Sequence, residues 1–206
     1  VDETATAMIS EGTIGPMIVV GIDHVGGNGR AREYLPYPDK YLTPPELAPN
    51  GALYASFLES DVIPFIEDRY PVRTDKSGRT LGGSSYGALV ALHVAVTSPE
   101  LFGQLLLESP SFYVDDNRVL RDVERIGLEV DRVYLGAGTN EIGVESCGNH
   151  DSYLEVVRGA LDLSHVLVVQ DFPVDSILVN ITPCANHSPA AWARRLPAAL
   201  SFLYSE

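Results

Sequence analysis

The chain has 206 residues, of which 45% are hydrophobic and 20% are charged, a composition typical of a globular protein with a sizeable core. Its 28 acidic and 14 basic side chains give a formal net charge of -14, which argues against nucleic acid or an anionic membrane surface as the main partner. No apolar run approaches the roughly 18 residues that a membrane span needs. We therefore expect one soluble domain over residues 1–206, in a compartment that the sequence does not identify.

The first part of the chain contains two predicted helices and one predicted strand. Residues 2–11 are typical of a helix, and PMIVVGID (16–23) is predicted to be a buried strand that leads into a glycine-rich, charged loop. Five prolines within residues 36–50 predict an irregular excursion over the surface. Residues 52–70 have apolar side chains at helical spacing, and we expect Pro64 to kink or restart this helix.

The second part alternates short β-branched runs with helix-like stretches. In chain order we predict a strand at 79–83, a helix at 86–97, a strand at 103–107, a helix near 117–126, a strand at 132–137, a helix at 151–161, β-rich runs at 165–170 and 176–182, and a last helix at 189–203. This alternation indicates an α/β fold with a mostly parallel, buried sheet flanked by helices.

A pentad with two adjacent serines stands where the strand at 79–83 gives way to a helix. Gly83-Ser84-Ser85-Tyr86-Gly87 matches G-x-S-x-G with Ser85 in the middle. In such a nucleophile elbow the serine lies on a sharp turn, and the following helix directs its N-terminal N–H groups at the charge that develops in the transition state. We expect glycine at 83 and 87 because a β-carbon at either position would collide with the crossing backbone. A glycine-rich turn without a chemical role is the alternative.

A nucleophilic serine needs a histidine as base, and in this fold the chain order is serine, acid, histidine. His24 and His93 break that order, and His93 falls in the middle of a predicted helix. His150 and His165 satisfy the order. His187 is the best placed, because it ends a β-rich segment and precedes Ser188-Pro189, a pattern typical of a helix start.

The acid that orients the histidine is predicted to be Glu141. It follows RVYLGAGTN at the carboxyl end of a predicted strand, where a carboxylate can accept the imidazole Nδ1–H and stabilise the imidazolium. Asp171 and Asp175 are alternatives, since each borders a β-rich run nearer to the histidine.

The chain closely resembles the esterase family of α/β-hydrolases in four segments that follow one another in the family's order. They are VDETATAMISEGTIGPMIVVGIDHVGGNGRAREYLP, GGSSYGALVALHVAVTSPELFGQLLLESPSF, VYLGAGTNE and ANHSPAAWARRLPAALSFLY. The family includes enterochelin (ferric siderophore) esterases, feruloyl and acetylxylan esterases, and enzymes similar to S-formylglutathione hydrolase. The resemblance implies that Ser85 is the nucleophile, His187 the base and Glu141 the acid. It also implies that the backbone N–H of Tyr86 is one oxyanion donor.

The loop after residue 23 is expected to lie beside the site and to shape the pocket. The resemblance makes His24, Arg30 and Arg32 candidate substrate-binding residues, whereas we favour a structural role for Glu33. Three tyrosines of this region, which could stack on a sugar or aryl ring or could only pack the excursion, are Tyr34, Tyr37 and Tyr41.

The sequence departs from the family at its start, because members normally have two or three further strands before the helix that VDET begins. One of those strands leads into the loop that supplies a second oxyanion N–H, so the N-terminal strands are lacking from this sequence relative to the family. Three explanations are open: the strands come from outside the chain as given, the chain is a fragment or degenerate relative, or the glycine-rich loop 24–29 (HVGGNG) replaces the missing donor.

The leading functional hypothesis is a serine carboxylic-ester hydrolase that forms an acyl-enzyme on Ser85 and acts on a small-molecule or carbohydrate ester. Siderophore lactones, aryl or acetyl esters of polysaccharide and small thioesters are the substrate classes considered. An acyltransferase that uses the same triad and an inactive binding domain are the alternatives. We expect no metal and no organic cofactor, since no ligand cluster or phosphate-binding loop is recognisable. Cys147 and Cys184 either form a disulfide or are separate buried thiols.

Overall fold

A computed structural model describes residues 1–27, 29–40, 42–141 and 154–204. The helices are α1 (Asp2–Ser10), α2 (Gly29–Tyr34), α3 (Tyr54–Phe57), α4 (Ile63–Arg69), α5 (Tyr86–Thr97), α6 (Val114–Ile126), α7 (Leu154–Val169) and α8 (Pro189–Tyr204). The strands are β1 (Thr80–Ser84), β2 (Gln104–Glu108), β3 (Arg132–Gly138) and β4 (Ile177–Thr182). None of the described helices is both long enough and apolar enough to cross a membrane.

The four strands form one parallel sheet in the order β1-β2-β3-β4. Because successive side chains point to opposite faces, each central strand contributes side chains to the hydrophobic core on both faces of the sheet. Leu105 and Leu107 of β2 pack with α5, α6 and α7, whereas Leu106 between them packs against α1 and α8. A sheet covered by helices on both faces confirms the predicted α/β class.

The parallel arrangement brings the carboxyl ends of all four strands to one edge. Ser84 of β1 is level with Glu108 of β2, and Glu108 is level with Gly136 of β3. The loops that follow these strands therefore meet, as ligand-binding loops do in open parallel sheets. Ser85, Glu141 and His187 all lie on such loops or at their ends.

Most of the predicted elements are confirmed, with boundaries shifted by a few residues. The helix predicted at 52–70 is interrupted by a π-helical turn at Leu58–Val62, after which α4 restarts with Pro64 in its first turn. Proline is tolerated there because the first helical N–H groups have no intrahelical acceptor. Residues 36–40 and 42–50 are irregular except for an isolated antiparallel bridge between Asp39 and Glu46.

Two strand predictions are wrong. Residues 16–23 form no strand in the described structure, and the side chains of Ile18, Val19 and Val20 are 44–46% exposed. Their β-branched composition is suited to a sheet, but no described strand pairs with them. Residues 165–170 continue α7 as far as Val169, because Leu163 and Leu167 are spaced by one helical turn and are both buried in the core.

Candidate active site

Ser85 lies on a sharp turn between β1 and α5. Its backbone angles, φ 60° and ψ -123°, are unusual for a residue with a β-carbon. The turn is held by the Ser85 N–H, which donates to the Glu108 carbonyl at 2.9 Å, and by the Ser85 carbonyl, which accepts from the N–H groups of Ala88 and Leu89. Backbone strain of this kind persists only where the surrounding structure imposes it, and it is concentrated at functional sites.

The two glycines of the pentad have different reasons for being there. A β-carbon at Gly83 would collide with the backbone carbonyl of Gly87, so the crossing of strand and helix requires glycine at 83. A β-carbon at Gly87 would meet no atom within 4 Å of the described structure, and the expected collision at that position is therefore wrong. The crossing is asymmetric: the helix backbone fills the space beside Gly83, whereas Gly87 faces an open cleft.

Tyr86 begins α5, so its N–H belongs to the first turn and has no intrahelical acceptor. Among the described residues no hydrogen bond uses this N–H. The helix dipole adds positive potential at the same place. The Tyr86 N–H is therefore available to an oxygen atom bound above Ser85, and its role as an oxyanion donor stays a prediction.

His187 and Glu141 form a close pair. His187 Nδ1 lies 2.7 Å from Glu141 Oε2, and the His187 N–H donates to the Glu141 carbonyl at 3.2 Å. Glu141 is buried, whereas the His187 side chain is 31% exposed, so one face of the imidazole is open. A carboxylate on Nδ1 selects the tautomer that carries its proton there and leaves Nε2 free to accept another.

The carboxyl group of Glu141 is held at both oxygens. Oε1 accepts from the Gly138 N–H at 2.6 Å and from Ser109 Oγ at 2.8 Å. Burial alone favours the protonated carboxyl, but the hydrogen bonds from His187, the Gly138 N–H and Ser109 outweigh it, and the pKa of the group is lowered from its usual value. Glu141 is thus an ionised, fixed partner for the imidazole.

Ser85 Oγ is hydrogen-bonded to Ser111 Oγ at 3.3 Å. The described hydrogen bonds include none between Ser85 Oγ and His187, so the nucleophile–base contact stays a prediction. Ser85 and the acid–base pair are nevertheless connected through the end of β2. The Glu108 carbonyl accepts from the Ser85 N–H, and the next residue, Ser109, donates to Glu141. Catalytic hydrogen bonds are often long in ligand-free enzymes and shorten when substrate binds.

Of the other histidines and acids considered from the sequence, those within the described part of the chain do not join this pair. His93 is buried in α5 beside Tyr37, where burial lowers the pKa of its imidazole. His165 lies on an exposed position of α7, and His150 is outside the described residues. Asp171 and Asp175 are exposed residues near the start of β4, and neither contacts His187.

Of the three candidate substrate-binding residues, Arg30 lines a cleft of about 1090 Å³ that runs along β1, and His24 and Arg32 do not. The Arg30 guanidinium donates to the Ser84 carbonyl at 3.1 Å and lies 5.5–5.6 Å from the ring centroids of Tyr34 and Tyr86. His24 is exposed, and its Nδ1 accepts from the Gly26 N–H. Arg32 is exposed as well and is not among the residues that line the cleft. Arg30 is therefore the candidate that the fold brings to the elbow.

Three further expectations from the sequence concern the loop and the cysteines. Glu33 accepts from the Val25 N–H at 3.2 Å, as expected for a residue that holds the loop. Tyr37 is buried against His93 and Asp122, so it packs the excursion, and Tyr41 lies outside the described residues. Cys184 is disulfide-bonded, and Cys147, the other cysteine of the chain, lies outside the described residues.

A second group of polar side chains, which the sequence analysis missed, lies behind Glu141. Ser109 and Glu108 come from the end of β2, and Trp192 and Arg195 come from one face of α8. The spacing of Trp192 and Arg195 by three residues puts them on that face, and this spacing is visible in the sequence. Nothing in the sequence pairs them with β2. Among the described residues, no group of three or more His, Cys, Asp or Glu side chains is arranged to hold a metal ion.

Comparison with known proteins identifies relatives over nearly the whole chain. Residues 1–203 match the Esterase family, whose description is "Putative esterase". A siderophore enterobactin esterase of Emericella nidulans is 30% identical over 131 residues, which are 60% of this chain and 41% of that protein. The chain thus spans less than half the length of this relative.

Two solved structures show the same fold. The enterochelin esterase of Shigella flexneri superimposes with a TM-score of 0.75 at 20% identity, over 97% of this chain and 46% of that one. A ferulic acid esterase superimposes with a TM-score of 0.66 at 16% identity, over 98% of this chain and 75% of that one. At these identities the likeness extends to the α/β architecture and not to individual site residues.

Proposed function

Because the chain belongs to the Esterase family, we propose that it is a serine carboxylic-ester hydrolase that forms an acyl-enzyme on Ser85. The observation that carries this proposal is the Glu141–His187 pair, with 2.7 Å between carboxylate and imidazole, at the same sheet edge as the strained turn of Ser85. A fixed carboxylate, an imidazole with an open face and a serine on a turn before a helix are the three parts of a serine hydrolase site.

In the proposed reaction Ser85 Oγ attacks the ester carbonyl and passes its proton to His187 Nε2. The carbonyl oxygen becomes an oxyanion that accepts a hydrogen bond from the Tyr86 N–H. When the intermediate collapses, the alcohol leaves with the proton from His187, and the acyl group stays on Ser85. A water molecule then attacks the acyl-enzyme with His187 again as base, which releases the acid and restores the serine.

The glycine-rich loop was one expected source of a second oxyanion donor. Several of its N–H groups are already used: Val25 donates to Glu33, Gly26 to His24 and Gly29 to the Gly26 carbonyl. These three N–H groups could bind an oxyanion only after the bonds they now make have broken. We therefore assign the Tyr86 N–H as one donor to the oxyanion.

The proposed substrate is a small-molecule ester, either a siderophore lactone or a carbohydrate or aryl ester. The Emericella relative, described as a siderophore enterobactin esterase, supports the first class, and the fold shared with a ferulic acid esterase is compatible with the second. The cleft beside Ser84 has a cation, Arg30, between two tyrosine rings. Such a rim suits a flat ring or an anionic group next to the scissile ester.

The test is hydrolysis of p-nitrophenyl acetate together with labelling by a fluorophosphonate probe, followed by peptide mapping. We expect turnover of the ester and a single labelled residue, Ser85. The Ser85→Ala variant should lose both, whereas Ser201→Ala, which removes an exposed hydroxyl from α8, should keep both. A folded protein that neither turns over the ester nor reacts with the probe would be an inactive binding domain. Siderophore lactone and feruloyl ester substrates then separate the two classes.

A further inference from the structure

Ser109 is buried at the carboxyl end of β2 and faces the acid of the candidate site. Its side chain has no solvent exposure, and its φ of 44° lies in the left-handed region. The Ser109 N–H donates to the Gly136 carbonyl of β3 at 2.7 Å, which fixes the backbone between the two strands. The strained turn directs Ser109 Oγ towards Glu141 Oε1, at 2.8 Å.

The neighbours of Ser109 determine which way its hydroxyl points. Trp192 Nε1 donates to Ser109 Oγ at 2.9 Å, and Arg195 Nη2 lies 3.4 Å from the same oxygen. Neither an indole N–H nor a guanidinium can accept a hydrogen bond. Both acceptor positions of the hydroxyl are therefore directed at donors, and its single proton is left for Glu141. Donation into the hydroxyl oxygen also strengthens the bond that the hydroxyl makes.

Arg195 is itself held by a buried ion pair. Its Nε and Nη2 donate to Glu108 Oε2 at 2.9 and 2.7 Å, and both side chains are at most 5% exposed. Glycine at 136 leaves room for this pair, since a β-carbon there would touch the Glu108 carboxylate. Glu108 Oε1 and Arg195 Nη1 have no hydrogen-bond partner within the described part of the chain. The pair anchors α8 to β2 directly behind Ser109.

We propose that Ser109, aligned by Trp192, is a positioning residue that locks the Glu141 carboxylate so that its second oxygen holds His187. This inference rests on the proposed function of Glu141 and His187. Ser109 and the Gly138 N–H occupy Oε1, which leaves Oε2 for the imidazole. The Trp192 ring also contacts the His187 ring edge-on, with 5.3 Å between centroids. Trp192 therefore contacts both Ser109 and His187, which lie on opposite sides of the Glu141 carboxylate.

The direction of the expected pH effect follows from the hydrogen bond that the Ser109 hydroxyl donates to Glu141. His187 approaches from the loop before α8, Arg195 from α8 and Glu108 from β2. Removal of the Ser109 hydroxyl takes one donor from the carboxylate and leaves these groups in place. The pKa of Glu141 should then rise, so that a higher pH is needed before the carboxylate is ionised and able to orient His187.

The experiment compares Ser109→Ala and Trp192→Phe with the unmodified chain in p-nitrophenyl acetate hydrolysis from pH 4 to 9. For Ser109→Ala we expect kcat to fall by about tenfold with KM within about twofold, and the acid limb of the pH profile to move to higher pH. Trp192→Phe keeps a ring against His187 and removes the N–H. It should lower kcat by about threefold and also move the acid limb to higher pH. This variant carries the test if Ser109→Ala does not fold.

Tyr204→Phe is the matched control, because it removes a hydroxyl that joins α8 to Thr80 of β1 at the far end of the sheet. It should lower the melting temperature without moving the acid limb. The proposal is overturned if the folded Ser109 and Trp192 variants keep the kcat and acid limb of the unmodified chain, or lose activity equally at every pH. Loss of activity in Ser85→Ala with no effect in the Ser109 variant would refute this inference alone, whereas full activity in Ser85→Ala would refute the proposed function.

Discussion

Two regions of the sheet differ in how their polar groups are placed. At the carboxyl ends of β2 and β3, polar side chains are buried and hydrogen-bonded to one another. Along the outer side of β1, backbone groups and apolar side chains border an open cleft. In the first region Ser109, Glu141 and Arg195 are each at most 7% exposed. In the second, Gly82 is exposed in the middle of a strand, and Ile18 and Val20 line the other side of the cleft. Both regions belong to one sheet, in which β1 pairs directly with β2.

The backbone alternation of β1 explains its open side. In a parallel strand the N–H and carbonyl of one residue point to one neighbour, and those of the next residue point the other way. The Ser85 N–H is bonded to β2, and the Ser84 carbonyl accepts from Arg30 on the opposite side. Gly82 therefore points outwards as well, towards the cleft. Buried polar groups are thus fixed by their partners, whereas the β-rich run 16–23, which pairs with no described strand, is exposed.

The largest effect is expected from Glu141→Gln. The amide keeps the size of the side chain but cannot stabilise an imidazolium and can favour the wrong tautomer, so kcat should fall on the order of a thousandfold or more. Hydrolysis of p-nitrophenyl acetate measures the loss. Glu100→Gln, at an exposed position, is the control and should keep full activity. An activity within tenfold of the unmodified chain for Glu141→Gln would mean that the buried network does not serve catalysis.

The two glycines of the elbow provide the second test. Gly83→Ala places a methyl group against the Gly87 backbone and should lower the free energy of unfolding by about 3 kcal/mol. Gly87→Ala meets open space in the first turn of α5, where alanine is the better helix former, and should raise it by up to about 1 kcal/mol. Urea unfolding measures both changes. Equal destabilisation by the two substitutions would contradict the asymmetric crossing.

The elbow and the alternation of strands and helices could be predicted because their signals are local. A glycine-flanked serine between a β-rich run and a helical run specifies the turn at Ser85 with few other residues. Glu141 and His187 could be predicted from their place after strands, since parallel strands bring such loops together. Their direct contact required the structure, because sequence position did not separate Glu141 from Asp171 or Asp175.

The conformations of residues 16–23 and 165–170 and the Ser109–Trp192 hydrogen bond depend on long-range contacts, which a local sequence pattern does not predict. The run 16–23 has the composition of a buried strand, and whether it forms one depends on a neighbour to pair with. The run 165–170 is β-branched, and packing of α7 on the core overrides that preference. Ser109 and Trp192 are 83 residues apart, and only the crossing of α8 over the end of β2 reveals their hydrogen bond.

Matched valine substitutions measure the difference in burial between the sheet and residues 16–23. Val133 of β3 is fully buried, so Val133→Ala should lower the free energy of unfolding by about 2 kcal/mol through lost burial and a residual cavity. Val20 is 44% exposed, and Val20→Ala should change it by less than about 0.5 kcal/mol. Chemical unfolding of both variants measures the difference. Equal costs would show that residues 16–23 are buried in solution.

The smallest expected effect is a difference in hydrogen-exchange rate between two neighbouring backbone amides of β1, and it requires no substitution. The Gly83 N–H points towards β2 in the same alternation as that of Ser85, whereas the Gly82 N–H points towards the cleft. In hydrogen exchange monitored by NMR, we expect the Gly82 amide to exchange at least about tenfold faster than the Gly83 amide. Equal protection of the two amides would mean that the outer side of β1 is paired in solution. The open cleft would then be occupied by a strand, and the contrast between the two regions would disappear.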